Sequence, residues 1–507
     1  MTNAVMVYEK KHREAPLHID ADSFRENGHM LIDEIAAFLE LLPESRVTKG
    51  EQPMEIRKRL GKSPLPLEGT PLENILYTAK ELLFEYSLHN GSPRFWGYIT
   101  SPAAPGGILA DLLAASVNAN VGANILSPVA TEIEKQTIQW LATFIGYASN
   151  CGGLFVSGGN MANFTGLLAA RKAKAGWDIR QNGFNDKQMI IYCSKATHTW
   201  VQKAADLFGF GLSNIRWIEL TGEQQMNVHS LEKQILMDRQ QGYFPFIVIG
   251  TAGAVGNGVV DPLDKIAEIC RRYDLWFHVD GAYGAPAAAV PATSQLFKGM
   301  EKADSIALDP HKWLYCPIEA GCILVRNARH LQDAFSFLPP YYNFNGAHDD
   351  PPTNFLEYGF QNTRGFRALK VWVQLQQVGK NGYVQMIADD MNLAKKLYDL
   401  AKEEDELEAV AHHLSIVSFR YVPAGLKDRP GADAYLNKLN EAILNRLQAG
   451  GEVFVSNAVI ENKYCLRACI VNFRTTQEDI EVLAAVVSQT GRQLHEERNP
   501  DPLTLVQ

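Results

Sequence analysis

Lys312 is the first residue whose position suggests chemistry rather than structure. It follows the apolar run SIALD (Ser305–Asp309) and stands between His311 and Trp313. Lysines are rarely buried without a partner, whereas a lysine amine whose pKa is lowered by its surroundings forms an imine with an aldehyde. A lysine stem that packs beside a core tryptophan is the structural alternative. Lys312 is therefore a candidate nucleophile towards a carbonyl carbon.

A glycine turn between a strand and a helix is the second candidate. The segment FVSGGNMANFTGLLAAR (Phe155–Arg171) places Ser157, Gly158, Gly159 and Asn160 at this turn. Glycines let the backbone approach an anion closely, and a helix start offers unpaired N–H groups and a favourable dipole. The turn therefore predicts a phosphate cup, although an ordinary helix cap can have the same sequence.

Asp280 is the third candidate, because it ends the apolar run LWFHVD (Leu275–Asp280). An acid at a strand end can form a salt bridge, bind a metal or hold a ribose. It can also keep a pyridinium nitrogen protonated, since a buried carboxylate favours a neighbouring cation. Ala282, two positions later, is small enough for a flat ring to lie on it.

His198 is the fourth candidate and lies in SKATHTWVQKAA (Ser194–Ala205). It could be a structural histidine, a helix cap or a metal ligand, and it could also stack on a planar cofactor. Taken together, the four features supply a phosphate cup, an acid for a ring nitrogen, an aromatic cover and an imine-forming lysine. Each feature is common alone, but their combination is specific.

The elements that must position these residues read as an α/β fold. Short apolar β-prone runs alternate with helical stretches, which predicts a mostly parallel central sheet that is buried on both faces and flanked by helices. A ligand is then expected at the carboxyl ends of the strands. The predicted strands are MIIYC (Met189–Cys193), IRWIEL (Ile215–Leu220), FIVIG (Phe246–Gly250), LWFHVD (Leu275–Asp280), SIALD (Ser305–Asp309) and GCILV (Gly321–Val325).

Three parts are predicted along the chain. Residues 1–85 form an N-terminal helical segment, in which Phe24–Leu42 has apolar residues at helical spacing. Residues 86–375 form the large α/β domain. Residues 376–507 form a smaller C-terminal α+β domain, which opens with a long helical pattern through Lys402.

Composition excludes several classes of protein. The 507 residues carry a formal net charge of −9, which argues against nucleic acid or an anionic membrane as a partner. No apolar run approaches the roughly 20 residues that span a bilayer, and the N-terminus has no apolar signal core. Seven scattered cysteines without a CxxC pair predict buried free thiols rather than disulfides or a zinc site. A cytoplasmic protein without a metal is expected.

The sequence resembles the group II pyridoxal-phosphate decarboxylases, which include the aromatic-L-amino-acid, tryptophan, tyrosine and glutamate decarboxylases. The resemblance extends from about Phe24 to Gln493, and its most specific segments are HVDGAYG and ADSIALDPHKW. Further similar segments are SPRFWGYI (Ser92–Ile99), SPVATEIE (Ser127–Glu134), TAGAVGNGVVDPL (Thr251–Leu263) and TRGFRALKVW (Thr363–Trp372).

The resemblance implies a fold-type-I enzyme that uses pyridoxal phosphate (PLP) to decarboxylate an L-amino acid. It also implies a homodimer whose N-terminal helices wrap the partner and whose active sites are shared. Lys312 would bind the cofactor as an imine, Asp280 would pair with the pyridine nitrogen, and His198 would stack on the ring. The implied cofactor-binding residues are Ser157, Gly158, Gly159, Asn160, His198, Asp280, Ala282, His311 and Lys312.

A loop tyrosine completes the implied catalytic set of Lys312, His198, Asp280 and Tyr341. The family places a mobile loop at AFSFLPPYYNF (Ala334–Phe344), and counting from Lys312 gives Tyr341, with Tyr342 as the alternative. Its implied role is to deliver a proton to the substrate Cα after carbon dioxide leaves. Packing of the loop would also explain two adjacent tyrosines.

The substrate is expected to be aromatic or bulky and apolar. No arginine cluster accompanies the motifs, so the side chain of glutamate has no obvious clamp. Where the family usually has a threonine soon after TAG, this chain has Ala254 and Val255, which removes a hydroxyl near the ring. The residues predicted to contact the substrate are Trp96, Tyr98, Ser101 and Asn120, although the aromatic residues at this position could equally be core.

Two other functions remain open on the sequence. The first is a transaminase or an oxidative, aldehyde-forming enzyme on the same scaffold, and a tyrosine rather than a phenylalanine at position 341 favours decarboxylation over it. The second is a non-enzymatic dimer, against which the intact Lys312 and Asp280 argue.

Overall fold

The computed structural model describes residues 15–339, 352–427 and 429–498. None of the helices in these ranges is both long enough and apolar enough to cross a membrane. The helices are α1 (Ala21–Leu41), α2 (Pro53–Leu60), α3 (Leu72–Tyr86), α4 (Pro105–Val117), α5 (Pro128–Phe144), α6 (Gly159–Lys174), α7 (Ile179–Asn182), α8 (Trp200–Leu207), α9 (Val228–Gln240), α10 (Leu263–Arg272), α11 (Arg329–Phe335), α12 (Ala368–Glu403), α13 (Asp433–Gly450) and α14 (Gln477–Arg498). The strands are β1 (Gly152–Val156), β2 (Met189–Ser194), β3 (Ile215–Ile218), β4 (Phe244–Thr251), β5 (Trp276–Asp280), β6 (Ser305–Leu308), β7 (Gly321–Val325), β8 (Leu407–His413), β9 (Ile416–Tyr421), β10 (Ser456–Ile460) and β11 (Lys463–Cys469).

The large sheet has seven strands in the order β1-β7-β6-β5-β4-β2-β3. Strand β7 runs antiparallel to both of its neighbours, and the remaining neighbours in the sheet pair in parallel. Every residue of β2, β5, β6 and β7 is buried, so these strands are covered on both faces rather than alternating between buried and exposed residues. The α/β fold predicted from the sequence is confirmed.

The observed ends of three elements differ from the predicted ends for local reasons. Strand β4 begins two residues before the predicted start, because Phe244 and Pro245 pair with the first residues of β2. Strand β3 ends early, since Leu220 leaves the sheet and forms an isolated bridge with Met226. Helix α1 begins at Ala21 rather than Phe24, because the Asp20 side chain accepts the Ser23 N–H at 2.8 Å and caps the helix.

A second hydrophobic core surrounds the antiparallel four-stranded sheet β10-β11-β9-β8, on which α12, α13 and α14 pack. Helix α12 connects the two cores, because it packs against α4 and α5 and also against β8 and β9. The helix is interrupted at Gly379, whose φ of 68° lies in the left-handed region that favours glycine. The predicted domain boundary at residue 376 falls inside α12, and the domain limits stay a prediction.

A buried ion pair ties the start of the large sheet to the chain around it. Arg364 Nη2 donates to Glu134 Oε1 at 2.6 Å, and both side chains are almost fully buried. The Phe155 N–H on β1 donates to the same carboxylate at 2.9 Å. Arg364 also donates to the carbonyl oxygens of Val121 and Phe155, each at 2.7 Å. Because every charge is paired, the pair fixes the strand that leads into the glycine turn.

Replacement of Arg364 by methionine is expected to destabilise the fold strongly. It would leave the Glu134 carboxylate buried without its cation, which costs about 3–5 kcal/mol. The midpoint of urea denaturation measures the loss. The matched control is Arg446→Met, which breaks the exposed Arg446–Glu497 pair and should cost less than about 1 kcal/mol. Equal midpoints for the two variants would contradict the role of the buried pair.

Candidate active site

A cavity of about 540 Å³ lies at the carboxyl ends of the parallel strands. Asp280 is the last residue of β5, Thr251 is the last residue of β4, and Ser157 follows β1. Parallel strands bring such residues to one edge of the sheet although they are distant in sequence. All of the residues predicted to bind the cofactor line this cavity, namely Ser157, Gly158, Gly159, Asn160, His198, Asp280, Ala282, His311 and Lys312.

Close packing explains one glycine of the turn and the glycine of β7 that lies against the turn. A Cβ atom on Gly159 would lie 2.6 Å from Asp309 Oδ2, and one on Gly321 would lie 2.5 Å from the Cα of Gly158. Helix α6 begins at Gly159, so the backbone N–H groups of its first turn lack helical acceptors, and the helix dipole favours an anion there. The turn therefore has the backbone and the charge that a phosphate requires.

Lys312 lies beside a carboxylate that the sequence analysis missed. Its Nζ is 2.9 Å from Asp309 Oδ2, and His311 Nε2 is 3.8 Å from the same oxygen. Burial lowers the pKa of Lys312, but Asp309 and then Asp280 more than offset this effect and raise the pKa above its ordinary value. The lowered lysine pKa expected from the sequence is therefore not found for the free amine.

Asp309 could have been identified by the same signal as Asp280, because it directly follows β6 and is only 1% exposed. Apart from the nearby ammonium of Lys312, neither of its carboxylate oxygens has a hydrogen-bond partner among the residues described. Asp309 is thus a buried acid of the cavity, three residues before Lys312. The spacing of the sequence motifs alone did not reveal it.

Two N–H groups hold the carboxylate of Asp280. Trp200 Nε1 donates to Oδ2 at 2.7 Å, and the backbone N–H of Ala282 donates to Oδ1 at 3.2 Å. Both residues line the cavity together with Asp280. Because a carboxylate oxygen can accept more than one hydrogen bond, Oδ1 keeps a free lone pair for a protonated ring nitrogen. Trp200 stood in a segment selected for His198 and was not itself identified from the sequence.

His198 lines the cavity as a neutral ring. Its Nδ1 accepts the backbone N–H of Trp200 at 3.2 Å, which assigns the ring proton to Nε2. Burial lowers the pKa of His198, and Asp280 opposes this effect only in part. A neutral imidazole with a free Nε2–H can cover a planar ring and donate one hydrogen bond.

Of the aromatic residues predicted to contact the substrate, the structure places Tyr98 at the cavity but not Trp96. Tyr98 is 59% exposed and lines the cavity. Trp96 is fully buried in the second core, where its Nε1 donates to Thr475 Oγ1 at 3.1 Å. The two residues are two positions apart and would share one face of an extended segment, but Tyr98 has a φ of 53°, so the chain turns after Trp96 and the two side chains separate. Trp96 is corrected to a core residue.

Ser101 and Asn120 also lie outside the cavity lining. Ser101 donates to the backbone carbonyl of His311 at 3.0 Å and thereby supports the lysine segment from behind. The side-chain oxygen of Asn120 accepts the backbone N–H groups of Gly122 at 3.2 Å and of Arg364 at 3.0 Å. Both polar side chains are used by the backbone, so the structure does not support direct substrate contacts from them within this chain.

Arg467 is the functional candidate that the sequence analysis missed most clearly. It lies on β11 of the second sheet yet lines the cavity. Its Nη1 donates to the Val255 carbonyl at 2.6 Å and its Nη2 donates to the Tyr98 carbonyl at 2.5 Å. Its Nε has no hydrogen-bond partner in the described part of the chain. A charged residue inside the apolar run YCLRACIVN was the available signal.

The threonine hydroxyl that the family usually carries soon after TAG is absent from this chain, and a nearby threonine lies at the cavity instead. Ala254 is buried, and Val255 lines the cavity with an apolar side chain. Thr251, three positions before Ala254, also lines the cavity, and its Oγ1 is 3.5 Å from Thr197 Oγ1. A hydroxyl is therefore present at the end of β4, although not at the position where the family usually carries one.

Some predicted features concern other parts of the chain. Tyr341 and Tyr342 lie in residues 340–351, outside the residues described. All seven cysteines are buried and free, as the sequence predicted. Within the described ranges, no group of three or more His, Cys, Asp or Glu residues is arranged to hold a metal ion.

The cavity fits PLP by its own chemistry. The turn leaves no room for a Cβ on Gly159, Asp309 Oδ1 and the Nε of Arg467 have no hydrogen-bond partner among the residues described, and Asp280 has a free lone pair. An amine, an acid and a phosphate cup thus surround one space. Lys312, Asp280 and the Ser157–Asn160 turn are the residues that would hold the cofactor.

Comparison with known proteins gives the same family. The family profile described as "Pyridoxal-dependent decarboxylase conserved domain" matches residues 53–422. The chain is 34% identical over 465 residues to an aromatic-L-amino-acid decarboxylase of Bacillus atrophaeus, covering 92% of this chain and 94% of that protein. It is 30% identical over 463 residues to tyrosine decarboxylase 4 of Petroselinum crispum, covering 89% and 90%.

The fold comparison agrees. The crystal structure of Oryza sativa TDC with PLP and tryptamine superposes with a TM-score of 0.86 at 25% identity, covering 95% of this chain and 100% of that chain. The chain therefore belongs to the pyridoxal-dependent decarboxylases, and it is a PLP-dependent amino-acid decarboxylase.

Proposed function

We propose that this enzyme converts an aromatic or bulky apolar L-amino acid to its amine and carbon dioxide. The observation that carries the proposal is the charge of the cavity lining, in which Arg467 is the one arginine among the residues described. A single guanidinium serves the α-carboxylate and leaves none for a second carboxylate. Tyr98, Ile99 and Val255 provide apolar wall for a side chain. The names of the two relatives, an aromatic and a tyrosine decarboxylase, support the same substrate class.

The cofactor roles follow from the positions in the cavity. Lys312 would bind PLP covalently through its amine, and Asp280 would accept a hydrogen bond from the protonated ring nitrogen. His198 and Ala282 would hold the ring between them. Residues 157–160 and His311 would bind the phosphate. These assignments are supported by the shared cavity and by the hydrogen bonds that leave Asp280 Oδ1 and the first turn of α6 free.

The chain's own groups then divide the reaction between them. When bound, PLP supplies an electron-accepting ring for the pair released as the Cα–carboxylate bond breaks. Asp280 keeps the ring nitrogen cationic. Arg467 and the Nε2–H of His198 orient the carboxylate, and the apolar wall holds the side chain so that the breaking bond has one orientation.

We propose that the enzyme works as a homodimer with shared active sites. Helices α1, α2 and α3 contain no buried residue in the single chain. Helix α4 likewise exposes Leu109, Leu112, Leu113 and Val117, each more than half accessible. Exposed apolar area of this extent marks an association surface, and a second copy in two-fold symmetry is the simplest partner.

The seven free, buried thiols support a reducing compartment, the cytoplasm.

The substrate proposal is tested by a panel of the common L-amino acids with amine and carbon dioxide detection. Tryptophan, tyrosine and phenylalanine should exceed glutamate in kcat/KM by roughly tenfold or more, because a buried side-chain carboxylate would lack a partner. Glutamate as the best substrate would overturn the assignment of substrate class while leaving the decarboxylase itself intact.

Borohydride reduction of the yellow holoenzyme is expected to fix the cofactor on Lys312. Peptide mapping after reduction should find the adduct there, and Lys312→Ala should abolish it. Lys195→Ala is the control, since that lysine is exposed and pairs with Glu219 at 2.8 Å. An adduct on any other lysine would refute the role of Lys312.

We further propose that Tyr341 delivers the proton to Cα. Tyr341→Phe should still release carbon dioxide but shift the product from amine to aldehyde, with oxygen consumed, because the substitution removes the proton-donating hydroxyl and keeps the aromatic ring. Product ratio and oxygen uptake measure the change. Tyr342→Phe is the matched control. A shift in that variant alone would move the assignment by one residue, and a shift in neither would exclude the loop as the proton source.

A further inference from the structure

Trp200 makes a hydrogen bond that the roles proposed above do not use. It is the first residue of α8, it is 1% exposed, and its Nε1 donates to Asp280 Oδ2 at 2.7 Å. The backbone N–H of Ala282 is the other donor to this carboxylate. Asp280 itself is 7% exposed. Because both donors are neutral, the carboxylate is satisfied without a contacting cation and remains available for one.

The indole of Trp200 is fixed by its neighbours. The ring of His278 meets it edge-on with ring centroids 5.9 Å apart, and the ring of Phe164 lies at 6.4 Å. His278 cannot rotate, since its two nitrogens are 2.7 Å from Ser305 Oγ and 2.7 Å from Asn163 Oδ1. The N–H of Trp200 is therefore a preorganised donor rather than a mobile one.

A donor to one carboxylate oxygen changes what the other oxygen does. The hydrogen bond stabilises the negative charge and fixes the plane of the carboxylate. A carboxylate stabilised in this way attracts a shared proton less strongly, so the proton stays on a ring nitrogen bonded to Oδ1. Without the donor, the proton would lie closer to Asp280 and the ring would be a weaker electron acceptor.

We propose that Trp200 is a positioning residue that orients Asp280 and keeps the proton on the ring nitrogen of the cofactor. This role rests on the proposed pairing of Asp280 with that nitrogen. Trp200 lies on α8 and contributes no group to the reacting atoms. Through Asp280 it would nevertheless control how strongly the cofactor ring accepts electrons.

The test is nitrogen NMR of Trp200→Phe, reconstituted with PLP that is isotope-labelled at the ring nitrogen. Phenylalanine keeps an aromatic ring in the cluster and removes only the donor and part of the indole. The ring-nitrogen resonance should move from the protonated position of the wild type towards that of neutral pyridine. The kcat should fall roughly tenfold or more while KM changes little, because the interaction acts on the ring and not on substrate binding. Should Trp200→Phe fail to fold, Trp200→Met fills the space flexibly without a donor and takes its place.

Two further variants calibrate the result. Asp280→Asn should give the neutral position in full. Trp96→Phe is the matched control, because it removes another buried indole N–H, donated to Thr475 Oγ1 at 3.1 Å in the second core, and should leave the resonance unchanged. A Trp200 variant that loses stability but keeps the wild-type resonance would reduce Trp200 to a structural residue and overturn the inference alone. A neutral resonance in the wild type would overturn the role of Asp280 and the inference together.

Discussion

The active site depends on placing charges of both signs together at the carboxyl ends of the buried parallel strands. A buried charge is tolerated only where it is paired or hydrogen-bonded. Lys312 meets this requirement through Asp309 at 2.9 Å, whereas Asp280 meets it through two neutral N–H groups. The two acids are therefore not equivalent. Asp309 compensates the free lysine, and Asp280 stays available for a cation that the cavity receives.

A third buried acid, Asp390, holds the segment that carries Lys312 on the side away from the cavity. Trp313 Nε1 donates to Asp390 Oδ2 at 2.9 Å, and the Tyr315 hydroxyl donates to the same oxygen at 2.7 Å. Burial raises the pKa of Asp390 to about 7. Asp390 lies on α12, so the lysine segment is fastened to the helix that connects the two cores. Together with the Arg364–Glu134 pair behind β1, this anchoring places the amine and the phosphate turn on rigid elements.

The sequence predicted most of what is local, although Asp309 at the end of β6 was missed, and it did not predict contacts between residues that are distant in the chain. Lys312, Asp280 and the glycine turn each stand at a strand end or a helix start, and local pattern identifies such positions. Arg467 reaches the cavity from a different sheet, and only the packing of the two cores brings it there. Trp96 and Tyr98 differ by two positions, yet a hydrogen bond to Thr475 commits one to the core while the other faces the cavity.

The polar groups that the cavity leaves incomplete indicate what it was folded to receive. Asp309 Oδ2 is bound by Lys312, but Asp309 Oδ1 has no donor and the Nε of Arg467 has no acceptor among the described residues. A buried polar group without a partner costs about 1–3 kcal/mol, so several in one cavity are a substantial loss for the free chain. Cofactor and substrate supply the missing partners, and their binding free energy then adds to that of the folded state. The free energy that these unpaired groups cost is in this way recovered as affinity for a phosphate, a ring cation and a carboxylate.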